Sequence, residues 1–105
     1  MLAKKYRLNR KEINLIYKKG RGKRGGEMGV KYLTNTLANS RYSVIIPKAV
    51  VKKVTERNRF RRVIFDEISR LKPVRNLDII VRVFRISDEK SLRTSVQNIL
   101  KSLDV

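Results

Sequence analysis

Four arginines within six residues form the group with the most distinctive chemistry in this sequence, Arg57-Asn58-Arg59-Phe60-Arg61-Arg62. A guanidinium is planar and binds phosphate through two parallel hydrogen bonds, so clustered arginines are typical of contacts with a nucleic-acid backbone. Only two acids, Glu56 and Asp66, are close enough along a helix to offset this charge. The apolar periodicity that follows the stretch predicts a helix that presents these arginines to RNA or DNA.

Further basic residues surround this stretch. Lys48, Lys52 and Lys53 precede it, and a basic group at the N-terminus begins with Lys4 and Lys5. The 105-residue chain has 27 Lys and Arg against 9 Asp and Glu, a formal net charge of +18. Self-repulsion of this size favours a polyanionic partner, either nucleic acid or anionic lipid. Clustered arginines without a lipid-anchor motif favour nucleic acid.

Catalysis by side chains is not expected. The sequence has no Cys and no His, which excludes disulfides, thiol chemistry, the usual zinc sites and His-based acid–base chemistry. The nine acids are scattered, whereas a two-metal nuclease needs carboxylates that converge on ions about 4 Å apart. We therefore predict no catalytic residue and no metal site. No apolar run approaches a membrane span, so we expect a soluble, cytoplasmic protein.

The hydrophobic pattern predicts an α+β fold, a small sheet with helices packed on it, as one domain over 1–105. Asn9 and Glu12 form a capping box for a first helix that ends near Gly20, and Thr55 and Ser87 are expected to cap two later helices. Strands are predicted over 28–35, 41–47 and 77–85, the last in a central position because its apolar run is nearly continuous. The order is helix, strand, strand, helix, strand, helix.

Two features of the pattern leave alternatives open. Tyr17, Tyr32 and Tyr42 could stack on unpaired bases, but aromatic residues also favour strands and cores, and the pattern alone favours packing. The segment over 20–26 has no Lys-Ser/Thr where a phosphate-binding loop needs it, which favours a flexible basic connection. Phe65 falls in the polar arc of its helix, and the pattern does not explain it.

The arginine stretch in this order of elements resembles the protein component of bacterial ribonuclease P, over nearly the whole chain. Similar motifs include Tyr42-Ser43-Val44-Ile45-Ile46-Pro47-Lys48 and Asp78-Ile79-Ile80-Val81-Arg82. Four positions depart from the family pattern: Pro47 and Ala49, because Pro47-Lys48-Ala49 replaces Ser-Lys-Lys, Ile13, which replaces an aromatic, and Phe65, which replaces a basic residue.

The resemblance implies a fold like the second domain of ribosomal protein S5, with a left-handed strand-helix-strand crossover. It also implies a protein subunit without catalytic residues, in a holoenzyme whose RNA removes the 5′ leader of precursor tRNA with Mg²⁺ bound mainly by that RNA. The residues expected to bind the catalytic RNA are Arg57, Asn58, Arg59, Arg61, Arg62, Lys48, Lys52 and Lys53. Those expected to bind the leader, in a groove between the first helix and the sheet, are Ile13, Tyr17, Tyr32, Val44 and Arg10.

The partners implied are the catalytic RNA and precursor tRNA, with a monomeric protein in one copy per RNA. A structural RNA-binding protein without a processing role, such as a ribosomal protein, fits the composition equally well. An autonomous nuclease would need a carboxylate cluster that the sequence does not suggest.

Overall fold

The structure, a computed structural model, describes residues 7–36, 40–71 and 76–103. In these ranges the elements are α1 (Arg10–Lys19), β1 (Arg21–Gly25), β2 (Met28–Thr34), β3 (Arg41–Ile45), α2 (Val54–Leu71), β4 (Leu77–Val83) and α3 (Glu89–Ser102). The strands form one mixed sheet in the order β1-β2-β4-β3, in which only the β3–β4 pair is parallel. The α+β class and the predicted order of elements are confirmed, and β1 is an additional strand.

The central strand is β4, as its apolar run predicted. It pairs with β2 on one side and with β3 on the other, and Ile79, Ile80 and Val81 are all buried. A strand that is covered on both faces needs apolar residues at successive positions, which explains why its sequence does not alternate. Helix α2 connects β3 to β4 and closes the parallel unit.

The segment predicted as a flexible basic loop is instead strand β1. It pairs with β2 from Arg21 opposite Tyr32 to Gly25 opposite Met28, and Gly26 makes the turn with a φ of 60°. Most of β1 is exposed on both faces, so its sequence lacks the apolar alternation that normally identifies a strand. Charged residues are common on such an edge, because they discourage pairing with another chain.

The helix ends agree with the sequence at α1 and differ at the other two helices. Asn9 Oδ1 accepts from the Glu12 amide at 2.9 Å and the Glu12 carboxylate accepts from the Asn9 amide at 2.8 Å, so the capping box is confirmed. Helix α3 is capped by Asp88 rather than Ser87. Helix α2 begins at Val54, which places Thr55 inside its first turn instead of at the cap.

The two faces of the sheet are covered differently. Helices α2 and α3 pack on one face, where alternate residues of β4 such as Val81 and Val83 join the main core. Helix α1 crosses the other face through Ile16, on the side to which Ile80 points. Phe65 is buried in the main core. Its part of the α2 surface is therefore not exposed to solvent, although the helical wheel placed it among polar residues. Part of the α1 face remains uncovered, and it forms the groove described next.

Candidate nucleic-acid interface

The motif arginines lie in the first turns of α2. Arg59 and Arg62 are exposed, and the Arg59 guanidinium lies 4.8 Å from the centre of the Phe60 ring. Arg61 donates to the Asn58 side chain at 2.9 Å. Within the described ranges no ion pair joins any arginine of the motif to an acid. Their charge is therefore available to an external anion.

Arg57 has a different position from the other three. Its Nη1 donates to the carbonyl oxygens of Val51 and Lys52, both at 2.9 Å, and its side chain is half-buried. The guanidinium thus fixes the turn that precedes α2 against the start of the helix. Lys52 and Lys53, as well as Lys48, are exposed in this turn. The predicted lysines and arginines consequently lie on one continuous piece of chain, while Lys4 and Lys5 are outside the described residues.

A groove of about 450 Å³ lies between α1 and the uncovered face of the sheet. Cationic and aromatic side chains border it, and two glycines leave strand backbone open to it. Its lining residues are Tyr17, Gly22, Lys23, Arg24, Gly29, Val30, Lys31, Ile80, Arg82 and Phe84. A slot with positive charge and exposed aromatic rings has the features that single-stranded nucleic acids require.

The position of α1 over the sheet is fixed at both ends. Near its start, Glu12 pairs with Arg41, which also makes a two-point contact with Asp78 at 2.9 Å and 2.7 Å. At its end, a side-chain carbon added to Gly20 would lie 2.9 Å from the carbonyl oxygen of Tyr32 in β2 and 2.5 Å from that of Ile16, so only glycine fits there without displacement. These contacts hold α1 against the sheet.

Of the five residues predicted to bind the leader, only Tyr17 is among those that line this groove. Tyr17 has 38% of its surface exposed and the Lys31 ammonium 5.5 Å from the ring centre. Ile13 is half-buried on α1, and Arg10 is exposed at the start of that helix.

Tyr32 and Val44 do not line the groove that Tyr17 borders, so the structure does not bring the predicted leader-binding residues together. Tyr32 is half-buried against the main core, and Val44 is only 7% exposed within it. Both lie on the α2–α3 face, because Tyr32 is opposite Ile79 and Val44 is opposite Val81 in the sheet register. Successive strand residues alternate between faces, and the sequence did not show which face α1 covers.

Five charged or aromatic residues of the groove lining were not predicted to bind the leader: Lys23, Arg24, Lys31, Arg82 and Phe84. The Arg24 guanidinium lies over the Phe84 ring at 4.4 Å from its centre, and 39% of Phe84 is exposed. A two-residue period from Ile80 places Arg82 and Phe84 on the same face, and this signal could have identified them. Arg24 lies in the segment that the sequence predicts as a flexible connection, where no face can be assigned.

Two acids that follow the motif on α2, Asp66 and Glu67, join this helix to α3. Arg93 contacts Asp66 at 2.9 Å and Glu67 at 3.0 Å, and Gln97 donates to Glu67 at 2.8 Å. The hydrogen bond from Arg93 lowers the pKa of Asp66. The hydrogen bond from Gln97, with that from Arg93, lowers the pKa of Glu67 despite the opposing effect of its burial. These carboxylates are thus ionised and paired away from the motif arginines.

Two further features are absent from the described residues, a cluster of metal ligands and a membrane-spanning helix. No group of three or more acidic side chains in 7–36, 40–71 and 76–103 is arranged to hold a metal ion. In the same part of the chain, none of the helices has the length and apolar character needed to cross a bilayer.

A family model identifies the family of this chain, and solved structures share its fold. A model of the ribonuclease P family, described as Ribonuclease P, matches residues 2–104. A mutant ribonuclease P protein of Staphylococcus aureus, with defective mRNA degradation activity, superposes with a TM-score of 0.87 at 23% identity, over 97% of this chain and 91% of that one. The ribonuclease P protein of Thermotoga maritima gives 0.80 at 26% identity, over 91% and 96%. No curated protein sequence matches significantly. The match over nearly the whole chain shows that this protein belongs to the ribonuclease P protein family.

Proposed function

We propose that this chain binds the catalytic RNA of ribonuclease P through the start of α2 and holds the 5′ leader of precursor tRNA in the groove beside α1. The RNA then carries out the endonucleolytic cleavage that gives the mature 5′ end. We further propose that one protein copy acts per RNA, in the cytoplasm. The observation that carries the proposal is the pairing pattern of the charges, because the motif arginines have no acidic partner among the described residues.

The α2 surface is suited to a folded RNA backbone. Arg59, Arg62 and the lysines of the preceding turn are exposed, while Arg57 and Asn58 hold that surface in shape. Each phosphate that such a cation neutralises releases condensed counterions, so several contacts add up to tight binding that weakens steeply with salt. The function of these side chains is to bind and orient RNA.

The groove is suited to an unpaired strand. Tyr17 offers a ring on which a base can stack, and Lys31 and Arg82 supply positive charge for the phosphates beside it. A tRNA precursor differs from its product by the single-stranded leader. Occupation of the groove by the leader would therefore raise affinity for the precursor over the mature tRNA.

No catalytic step is assigned to a protein side chain or to a protein-bound metal. The described residues offer no cluster of carboxylates with which a magnesium ion could be held. We propose that the Mg²⁺ needed for cleavage is bound mainly by the RNA, and that the protein supports it by reducing phosphate repulsion nearby.

Reconstitution with a bacterial ribonuclease P RNA at low Mg²⁺ tests the proposal. Adding the protein should increase the rate of precursor-tRNA cleavage and the preference for precursor over mature tRNA. The variant Arg59→Ala/Arg62→Ala should weaken binding to the catalytic RNA and flatten its salt dependence by about two units of slope, one per lost phosphate contact. A protein that leaves cleavage unchanged under these conditions would contradict the proposal.

The matched control is Lys90→Ala/Lys101→Ala, which removes the same charge from exposed positions on α3. It should leave binding to the catalytic RNA nearly unchanged. Equal losses in the two double variants would show that net charge alone, rather than the α2 surface, determines affinity. Recovery of ribosomal RNA as the main partner from cells would favour a structural RNA-binding role instead.

A further inference from the structure

The groove contains two exposed aromatic rings, and each has a cation against it. Lys31 lies over Tyr17, and Arg24 lies over Phe84. Tyr17 comes from α1, whereas Phe84 follows the end of β4, so the rings belong to different elements that border the same slot. A ring left in water loses the stabilisation of burial, and two in one groove suggest binding.

The backbone holds Phe84 in place from both sides. Its amide donates to the carbonyl oxygen of Glu27 at 2.8 Å, and the buried Glu27 carboxylate accepts from the amide of Ser87 at 2.7 Å. A side-chain carbon at Gly29 would lie 3.0 Å from two atoms of the ring, so the absence of a side chain there gives Phe84 its position. The ring is thus fixed against bare strand backbone, with its outer side in the groove.

Arg24 adds chemistry that an isolated ring lacks. Its guanidinium is planar, lies 4.4 Å from the ring centre and belongs to the exposed edge strand β1. A guanidinium can stack on a base and also contact the neighbouring phosphate. The Phe84–Arg24 pair therefore offers both interactions that one nucleotide of a single strand needs.

We propose that Phe84, with Arg24 stacked on it, is a second base-binding position of the groove, and that it holds a leader nucleotide other than the one at Tyr17. This inference rests on the proposed function and names the part of the groove that extends recognition along the leader. The competing interpretation is that Phe84 only covers the β2 backbone and that Arg24 only shields the ring. Both interpretations fit the contacts, and they differ in whether a leader base stacks at Phe84.

The test uses the reconstituted holoenzyme and precursor tRNAs that carry 2-aminopurine at one leader position at a time. The fluorescence of this base falls when it stacks. Quenching is expected at two separate leader positions with the wild-type protein. Phe84→Leu, which keeps apolar cover over Gly29, should abolish quenching at one position, and Tyr17→Leu at the other. Arg24→Lys, which keeps the positive charge but removes the planar guanidinium, should reduce quenching at the same leader position as Phe84→Leu.

Affinity provides a second readout. Phe84→Leu should raise the Kd for precursor tRNA about fivefold or more, as expected for the loss of one base stack, and leave the Kd for mature tRNA unchanged. Phe84→Tyr should restore wild-type values. Leu15→Ala is the matched control, since Leu15 is an exposed apolar residue outside the groove lining.

The outcomes separate this inference from the proposed function. Unchanged quenching and affinity in Phe84→Leu, with an effect of Tyr17→Leu, would overturn the role of Phe84 and leave the leader groove in place. Equal weakening of precursor and mature tRNA by Phe84→Leu would assign the ring a purely structural role. A wild-type protein that does not distinguish precursor from mature tRNA would refute the proposed function itself.

Discussion

The buried carboxylate of Glu67 is predicted to be a main link between α2 and α3. Glu67 is 4% exposed, and its two oxygens accept from Arg93 and Gln97 on α3. Glu67→Gln keeps the size of the side chain but replaces one acceptor oxygen by an amide group that donates. One of the two α3 donors then loses its acceptor, and the ion pair with Arg93 is lost.

The size of the effect follows from these contacts. A hydrogen bond to a charged group contributes about 1.5–3 kcal/mol and a neutral one about 1 kcal/mol. The substitution exchanges two bonds of the first kind for one of the second. Arg93 keeps Asp66 as a partner and is 27% exposed, which reduces the loss. We expect Glu67→Gln to lower the free energy of unfolding by about 2–3 kcal/mol, or the Tm by about 10 °C.

The pH dependence has a defined sign. The pKa of Glu67 is lower in the folded protein, so its ionised form stabilises the fold. This contribution is fully present above the ordinary pKa of glutamate and is lost as the pH falls through the lower folded-state pKa. The difference between the wild type and Glu67→Gln should therefore be constant near pH 7 and shrink below about pH 4.

Urea unfolding at constant sulfate concentration, from pH 7 down to pH 3, measures both effects. Glu89→Gln is the matched control, because Glu89 also faces Arg93 but is exposed and 3.7 Å away, where a surface pair contributes about 0–1 kcal/mol. Equal stability of Glu67→Gln and the wild type at pH 7 would refute this account. So would a difference between them that grows on acidification.

Three further predictions concern the groove and the motif. Asn9→Ala removes one half of the capping box and should lower stability by about 1 kcal/mol in thermal unfolding, whereas Asn9→Asp should not. Gly20→Ala places a carbon 2.5 Å from a backbone oxygen, so it should lower the free energy of unfolding. It should also weaken the binding of precursor tRNA more than that of mature tRNA. Equal weakening of the two would contradict the role of α1 as the groove wall. Arg59→Ala/Arg62→Ala should change the Tm by no more than about 4 °C, since each surface substitution usually changes stability by about 0.5 kcal/mol or less; unfolding of this variant would contradict their assignment to the polar face.

The sequence predicted correctly those features that depend on residues close to one another along the chain. The capping box at α1 is a local hydrogen-bond pattern, and the run of apolar residues in β4 reflects burial on both faces. The exposed Arg59 and Arg62 follow from helical periodicity alone. In each case the residues near one another in sequence determine the outcome, which is why a single sequence sufficed.

The groove could not be predicted in the same way, because it depends on which face of the sheet α1 covers. The sequence predicted β2 and β3 as strands but did not identify which face of the sheet remains open. Tyr32 and Val44 were therefore grouped with Tyr17, which borders the other face, and Phe84 was missed. Glu67 was missed for a related reason, since its partners Arg93 and Gln97 are distant in sequence.

The use of the acids explains how so basic a chain can fold and still retain charge for RNA. Asp78 and Glu12 both contact Arg41, which joins α1 to the sheet, while Glu67 contacts Arg93 between α2 and α3. Each of these carboxylates thus neutralises an arginine that connects two elements. These three acids therefore lie at junctions between elements, where burial makes an unpaired charge costly. The cations of the motif and the groove remain without acidic partners in the described part of the chain, which is the condition under which an external polyanion gains most by binding.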